Sequence, residues 1–181
     1  METYKLHVAG LERDLPIVSV SDELSIASFV ILGDTELVTH VAPILAAKLP
    51  EVDYVVTAEA KGIPLIHEMS KVLGMDKYIV ARKSVKAYMQ TPLVSEVTSI
   101  TTQKEQMLVL DSKDADLIKG KKVAIIDDVI STGESVQGLE KLLSEAGAKV
   151  VAKAAILAEG DAAEREDIIF LEKLPLFQKK G

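Results

Sequence analysis

The sequence contains no cysteine. Disulfides, thiol catalysis and cysteine-bound zinc or iron are therefore excluded, which suits a reducing compartment. No apolar run approaches the roughly 20 residues needed to cross a bilayer. The opening stretch, METYKLHVAGLERDL, lacks the long apolar segment of a signal peptide. A cytoplasmic protein with no membrane partner is expected. Basic residues are in deficit, 21 Lys and Arg against 28 Asp and Glu, giving a net charge of −7. No stripe of lysines and arginines is present, so no nucleic acid partner is expected. Internal repeats and low-complexity linkers are missing too.

The composition that remains is globular. Apolar residues make up 48% and charged residues 27% of 181, which suits a single domain spanning residues 1–181. Short apolar runs alternate with helical periods. Residues 54–57, 77–81, 106–110, 123–126 and 149–157 read as strands, with 106–110 expected to pair antiparallel. Residues 36–49, 63–73 and 136–146 carry apolar positions at helical spacing, the last two ending at Gly74 and Gly147. Strands alternating with helices of this length predict an α/β fold: a central, mostly parallel twisted sheet with helices on both faces. Ligands of such sheets bind beyond the carboxyl ends of the strands. Residues 58–62, those from Arg82 onward, and 127–135 fall there. The long polar stretch 83–104 reads as a mobile active-site loop.

The most informative segment is VAIIDDVISTGES, residues 123–135. An apolar strand runs into Asp127 and Asp128, placed at its end, and a small-hydroxyl loop follows: Ser131, Thr132, Gly133, Glu134 and Ser135. Backbone N–H groups and the helix dipole favour an anion at a helix start. Hydroxyls add donors, and Gly133 permits close approach. An ordinary Ser/Thr-capped helix remains an alternative for the loop alone. The adjacent carboxylates repel each other and need partners, either the vicinal hydroxyls of a ribose or a magnesium ion. A phosphate held downstream would belong to the same sugar.

This segment resembles the PRPP-binding motif of the type I phosphoribosyltransferases: four apolar residues, two acids, two apolar residues, then a Ser/Thr-Thr-Gly-x-Ser/Thr loop. The resemblance implies that fold, with a core over about 33–160 and a small hood from residues 1–32 and 161–181. It also implies a homodimer. Residues 57–62, TAEAKG, resemble the family's pyrophosphate loop, which implies PRPP contacts at Ala60 and Lys61 and a cis peptide placed at Ala60–Lys61. Residues 81–86, ARKSVK, resemble the basic segment opening the flexible loop in the purine branch, which implies that Arg82, Lys83 and Lys86 meet the pyrophosphate. Asp127, Asp128, Lys61 and Arg82 are the implied catalytic groups. Mg2+ is implied through PRPP rather than as a protein-held metal.

The layout resembles the adenine and xanthine enzymes most. Hypoxanthine-guanine enzymes carry an aspartate at the position matching Ser131. Adenine enzymes carry a loop glutamate near Thr101, and here only Glu96 and Glu105 flank that site. Oxopurine enzymes commonly carry a lysine where this chain has Glu159, and a carboxylate accepts from an amino group but repels a carbonyl. Glu159 as an exposed loop residue remains an alternative. The resulting expectation is transfer of ribose 5-phosphate from PRPP to a purine base, adenine first. A xanthine or guanine enzyme and a non-catalytic PRPP sensor are the alternatives.

Overall fold

The computed structural model describes residues 1–98 and 105–179. Among them, β4 (Tyr54–Ala58), β5 (Ile79–Ala81), β8 (Lys122–Ile130), β9 (Lys149–Glu159) and β10 (Ile169–Leu174) form a five-stranded sheet in the order β10-β9-β8-β4-β5. Every pairing in it is parallel. The strands alternate their side chains between two buried layers, as the period of two requires. Val55, Ala124 and Ile126 join the core made with α1 (Thr35–Ala47) and α2 (Ile63–Val72). Val56, Val123 and Ile125 join the core made with α4 (Glu134–Glu145), α3 (Ser112–Ile118) and β7 (Glu105–Leu110). Such double burial explains why these strands read as continuous apolar runs.

A second sheet, antiparallel, has the order β1-β2-β3-β11, from β1 (Thr3–Val8), β2 (Leu11–Ser19), β3 (Leu24–Ala27) and β11 (Leu176–Gln178). It sits over the α1/α2 side of the core, where Leu6, Val8, Leu15 and Phe29 are buried. Arg13 of β2 fastens it. Its guanidinium donates to both oxygens of Asp34, at 2.8 and 3.0 Å, and to Glu36 at 3.0 Å. Asp34 in turn caps α1 by accepting from the Leu37 N–H at 3.1 Å.

Two expectations change. The hood does not take the whole C-terminal segment, because β10 pairs with β9 in the central sheet and only β11 joins the hood. Pro175 separates the two strands, and its fixed φ and missing N–H let the chain change sheets there. Nor is 83–104 wholly a loop. It contains β6 (Leu93–Thr98), paired antiparallel with β7 from Leu93↔Leu110 to Thr98↔Glu105. Polar Ser95 and Glu96 disguise this strand in the sequence. Tertiary packing overrides them, since Val97 lies against Gly138 of α4, where a Cβ would come within 2.6 Å of Val97 Cγ2. Thr101, the position of the expected loop glutamate, lies outside the described residues.

Candidate active site

Asp127 and Asp128 lie within β8 rather than beyond it. The strand continues to Ile130, with Asp127 opposite Ala155 and Val129 opposite Leu157. The buried apolar run Ala154, Ala155, Ile156, Leu157 and Ala158 of β9 carries the ladder past the acidic pair. Asp128 is buried at 7% exposure, and Asp127 is partly exposed. The Asp128 N–H donates to Asp127 Oδ1 at 2.8 Å. Burial, and then Asp128 beside it, push the Asp127 carboxyl well above the usual carboxylate range, while Lys61 and the Asp128 N–H act in the opposite sense. Ligand hydroxyls or a cation would relieve this pair.

The loop that follows turns on Gly133, at φ +83, which is the N-cap of α4. No side-chain hydrogen bond caps the helix from that position. Thr132 Oγ1 accepts from the Glu134 N–H only at 3.4 Å. The cap is thus a left-handed glycine rather than a Ser/Thr N-cap, which leaves the hydroxyl loop wrapped around the helix start. Arg165 lies over the same glycine, and a Cβ there would sit 2.5 Å from its Nη1. Asp167 holds Arg165 with two bonds, Nε to Oδ1 at 2.8 Å and Nη2 to Oδ2 at 2.7 Å. Arg165 draws the Asp167 carboxyl down to about 2. No sequence pattern marks Arg165, because it reaches the loop from the far side of β9.

The loop 59–62 continues from β4. Its cis peptide joins Glu59 to Ala60, one residue before the expected place, because β4 ends at Ala58 and the turn begins at once. A Cβ at Gly62 would collide with Thr57 Oγ1, so only glycine lets the loop fold back onto the strand. Glu59, passed over in the sequence, accepts from Arg82 Nε at 3.1 Å and from the Lys83 N–H at 2.6 Å. Those bonds, the Lys83 one foremost, hold its carboxyl below the usual range.

One cavity of about 490 Å³ gathers most of these groups. Ala60, Lys61, Lys83, Asp127, Asp128, Ser131, Thr132, Glu134, Ser135 and Glu159 line it. Arg82, Lys86 and Gly133 do not. Arg82 is engaged by Glu59 and by the Tyr88 hydroxyl at 2.8 Å, and Lys86 Nζ donates to Ser84 Oγ at 2.6 Å. On the hood side the wall is Ile26, Ala27, Ser28 and Phe29 with Leu174. Glu159, half-buried, also lines the cavity, next to Ser131 because Ile130 pairs with Ala158 in the β8–β9 ladder. Burial raises the Glu159 carboxyl, and Ser131 partly offsets the rise.

A family model for the phosphoribosyl transferase domain matches residues 36–175. The chain belongs to that family. An adenine phosphoribosyltransferase of Thermosipho africanus is 34% identical over 125 residues, 67% of this chain and 69% of that protein. A hypoxanthine/guanine phosphoribosyltransferase of Ferroglobus placidus is 32% identical over 115 residues, 64% of this chain but only 57% of that protein. Among solved structures, the adenine phosphoribosyltransferase of Thermoanaerobacter pseudethanolicus superposes with a TM-score of 0.66 at 22% identity, covering 79% of this chain and 84% of that one. That last likeness is one of fold: the phosphoribosyltransferase architecture, with a central parallel sheet flanked by helices. Among the described residues no helix is long and apolar enough to cross a membrane.

Proposed function

We propose that this phosphoribosyltransferase transfers ribose 5-phosphate from PRPP to adenine, yielding AMP and pyrophosphate. The observation that supports the reading is that Glu159 lines the same cavity as the acidic pair, the hydroxyl loop and the hood residues Ala27, Ser28 and Phe29. A carboxylate sharing a cavity wall with Ala27, Ser28 and Phe29 supplies an acceptor for an exocyclic amino group. It would oppose the carbonyl of an oxopurine, leaving two acceptors face to face.

The loop 131–135 holds the 5′-phosphate by backbone N–H groups, hydroxyls and the α4 dipole. Asp127 and Asp128 hold the ribose hydroxyls. As the bond to pyrophosphate loosens, positive character grows on the sugar, and the carboxylates stabilise it. Lys61 and Lys83 face the departing negative charge. The apolar hood limits the access of water, which would otherwise compete with the base.

Magnesium fits the donor set as a guest of the substrate. Asp127 and Asp128 are a carboxylate pair in need of a counter-charge. Among the described residues no group of three or more His, Cys, Asp or Glu could cage an ion. Mg2+ is commonly held by one or two carboxylates plus substrate phosphates. When bound, it supplies charge neutralisation at the pyrophosphate.

The test is product formation with PRPP, Mg2+ and adenine, hypoxanthine, guanine or xanthine in turn, compared by kcat/KM. Adenine is expected to give the highest value. A higher value for an oxopurine would overturn the base assignment. PRPP binding without product from any base would support a PRPP sensor instead.

A further inference from the structure

The resemblance sets Arg82 against the pyrophosphate, yet it does not line the cavity. Its main chain is fixed to β7 by two bonds with Val109, both 2.8 Å. Its side chain is fixed by Glu59 on one side and Tyr88 on the other. The residue in its place on the cavity wall is Glu59, beside Ala60 and Lys61. One carboxylate therefore joins three pieces of chain: the loop 59–62, the end of β5, and the loop carrying Lys83 to Tyr88.

A carboxylate at that wall repels pyrophosphate unless it is neutralised. The guanidinium of Arg82 neutralises it at 3.1 Å, and both groups are mostly shielded, with side chains 31% and 21% exposed. Its second oxygen is spent on the Lys83 N–H, so it fixes the backbone from which the Lys83 side chain reaches the cavity. We propose that Glu59 is the positioning residue of the pyrophosphate end, setting Lys83 and Arg82 against the loop that carries Lys61. This inference rests on the functional reading above. It assigns Arg82 the task of compensating Glu59 instead of meeting the ligand.

A second network of the same chemistry provides the control. Arg13 with Asp34 and Glu36 ties the hood to α1, and none of the three lines the cavity. Loss of that network should lower stability without distinguishing one ligand from another.

The test is a pair of titrations on the full-length chain with Mg2+ present: pyrophosphate, the ligand expected beside Glu59, Lys61 and Lys83, and AMP, which carries no pyrophosphate. Glu59→Gln is expected to weaken pyrophosphate roughly tenfold or more, the loss expected of charge-assisted contacts. AMP should stay within about twofold, since it shares none of those contacts. KM for PRPP should rise more than kcat falls, and Glu59→Asp should restore part of the loss. Arg13→Gln should leave the ratio of the two affinities unchanged. If Glu59→Gln does not fold by circular dichroism, Glu59→Asp carries the test with a smaller shift in the same direction. Equal weakening of AMP and pyrophosphate would make Glu59 a buttress only, and tighter pyrophosphate would make it a brake; either overturns the proposal. Because the titrations need no turnover, they read Glu59 even if the wild type forms no AMP, an outcome that would defeat the functional reading by itself.

Discussion

The two ends of the cavity are built on opposite principles. The sugar-phosphate end is polar and almost contiguous, with Asp127 to Ser135 supplying it from one strand and one helix start. The base end is largely apolar and assembled from four distant places: residues 26–29, Ser131, Glu159 and Leu174. A contiguous turn holds its donors at fixed spacing, so a change at any position is felt by the same ligand. A composite wall can change one side chain at a time. The fold can thus keep one donor and exchange its acceptors, with Ser131 as the residue shared between the two ends.

Substitutions at the sugar-phosphate end should therefore have the larger effects on rate for every base alike. The largest is expected from Asp127→Asn and Asp128→Asn, each lowering kcat roughly a hundredfold or more, as for loss of a group aimed at developing charge. Circular dichroism should remain that of the wild type while steady-state rates fall for all bases together. Near-normal rates in both variants would break the division into two ends.

Thr132→Val comes next. Losing a hydroxyl bonded to a phosphate should weaken PRPP by roughly 1.5–3 kcal/mol. Calorimetric titration checks this, and an unchanged dissociation constant would reduce the loop to a helix start. Gly133→Ala should follow at about 1–2 kcal/mol, the cost of a left-handed backbone for an L-residue. Contact with Arg165 Nη1 adds to it, since the new Cβ would lie 2.5 Å away. A melting-temperature shift together with weaker PRPP would report both causes.

How much of this was legible in the sequence follows the same division. The strand-loop-helix at 123–135 was legible because its spacing is its geometry. The parallel sheet was legible because strands buried on both faces must read as apolar runs. The end of β8 was misjudged because β9, the partner that prolongs it past Asp127, is contributed by residues far along the chain. For the same reason β6 was hidden, its ladder partner and the α4 contact being tertiary. Glu59 and Arg165 carry no local pattern at all. Each becomes visible only when Arg82 or Gly133 is brought beside it in space. Glu159 and Ser131 were each noticed separately, and their adjacency across the β8–β9 ladder is what the fold adds.

The smallest rate effect should come from pH acting at the base end. Burial raises the Glu159 carboxyl above its ordinary value. Only the ionised form is a pure acceptor, and that form is lost as pH falls through the raised value. The preference for adenine over hypoxanthine should accordingly be greatest where Glu159 is fully ionised and shrink on acidification, in a range where an ordinary glutamate would still be charged. Ratios of kcat/KM measured across pH would show it, and a ratio independent of pH would place Glu159 outside the base contact.

The most direct test compares adenine with hypoxanthine in the wild type and in Glu159→Lys. Exchanging an acceptor for a donor reverses the match to the group at position 6 of the ring, and taking the ratio of two bases cancels any effect on the sugar-phosphate end. The account predicts that the wild type favours adenine and that the kcat/KM ratio falls at least about tenfold in the variant, the scale of one buried mismatched bond. A wild type that favours hypoxanthine, or a ratio that the substitution leaves where it was, would contradict it.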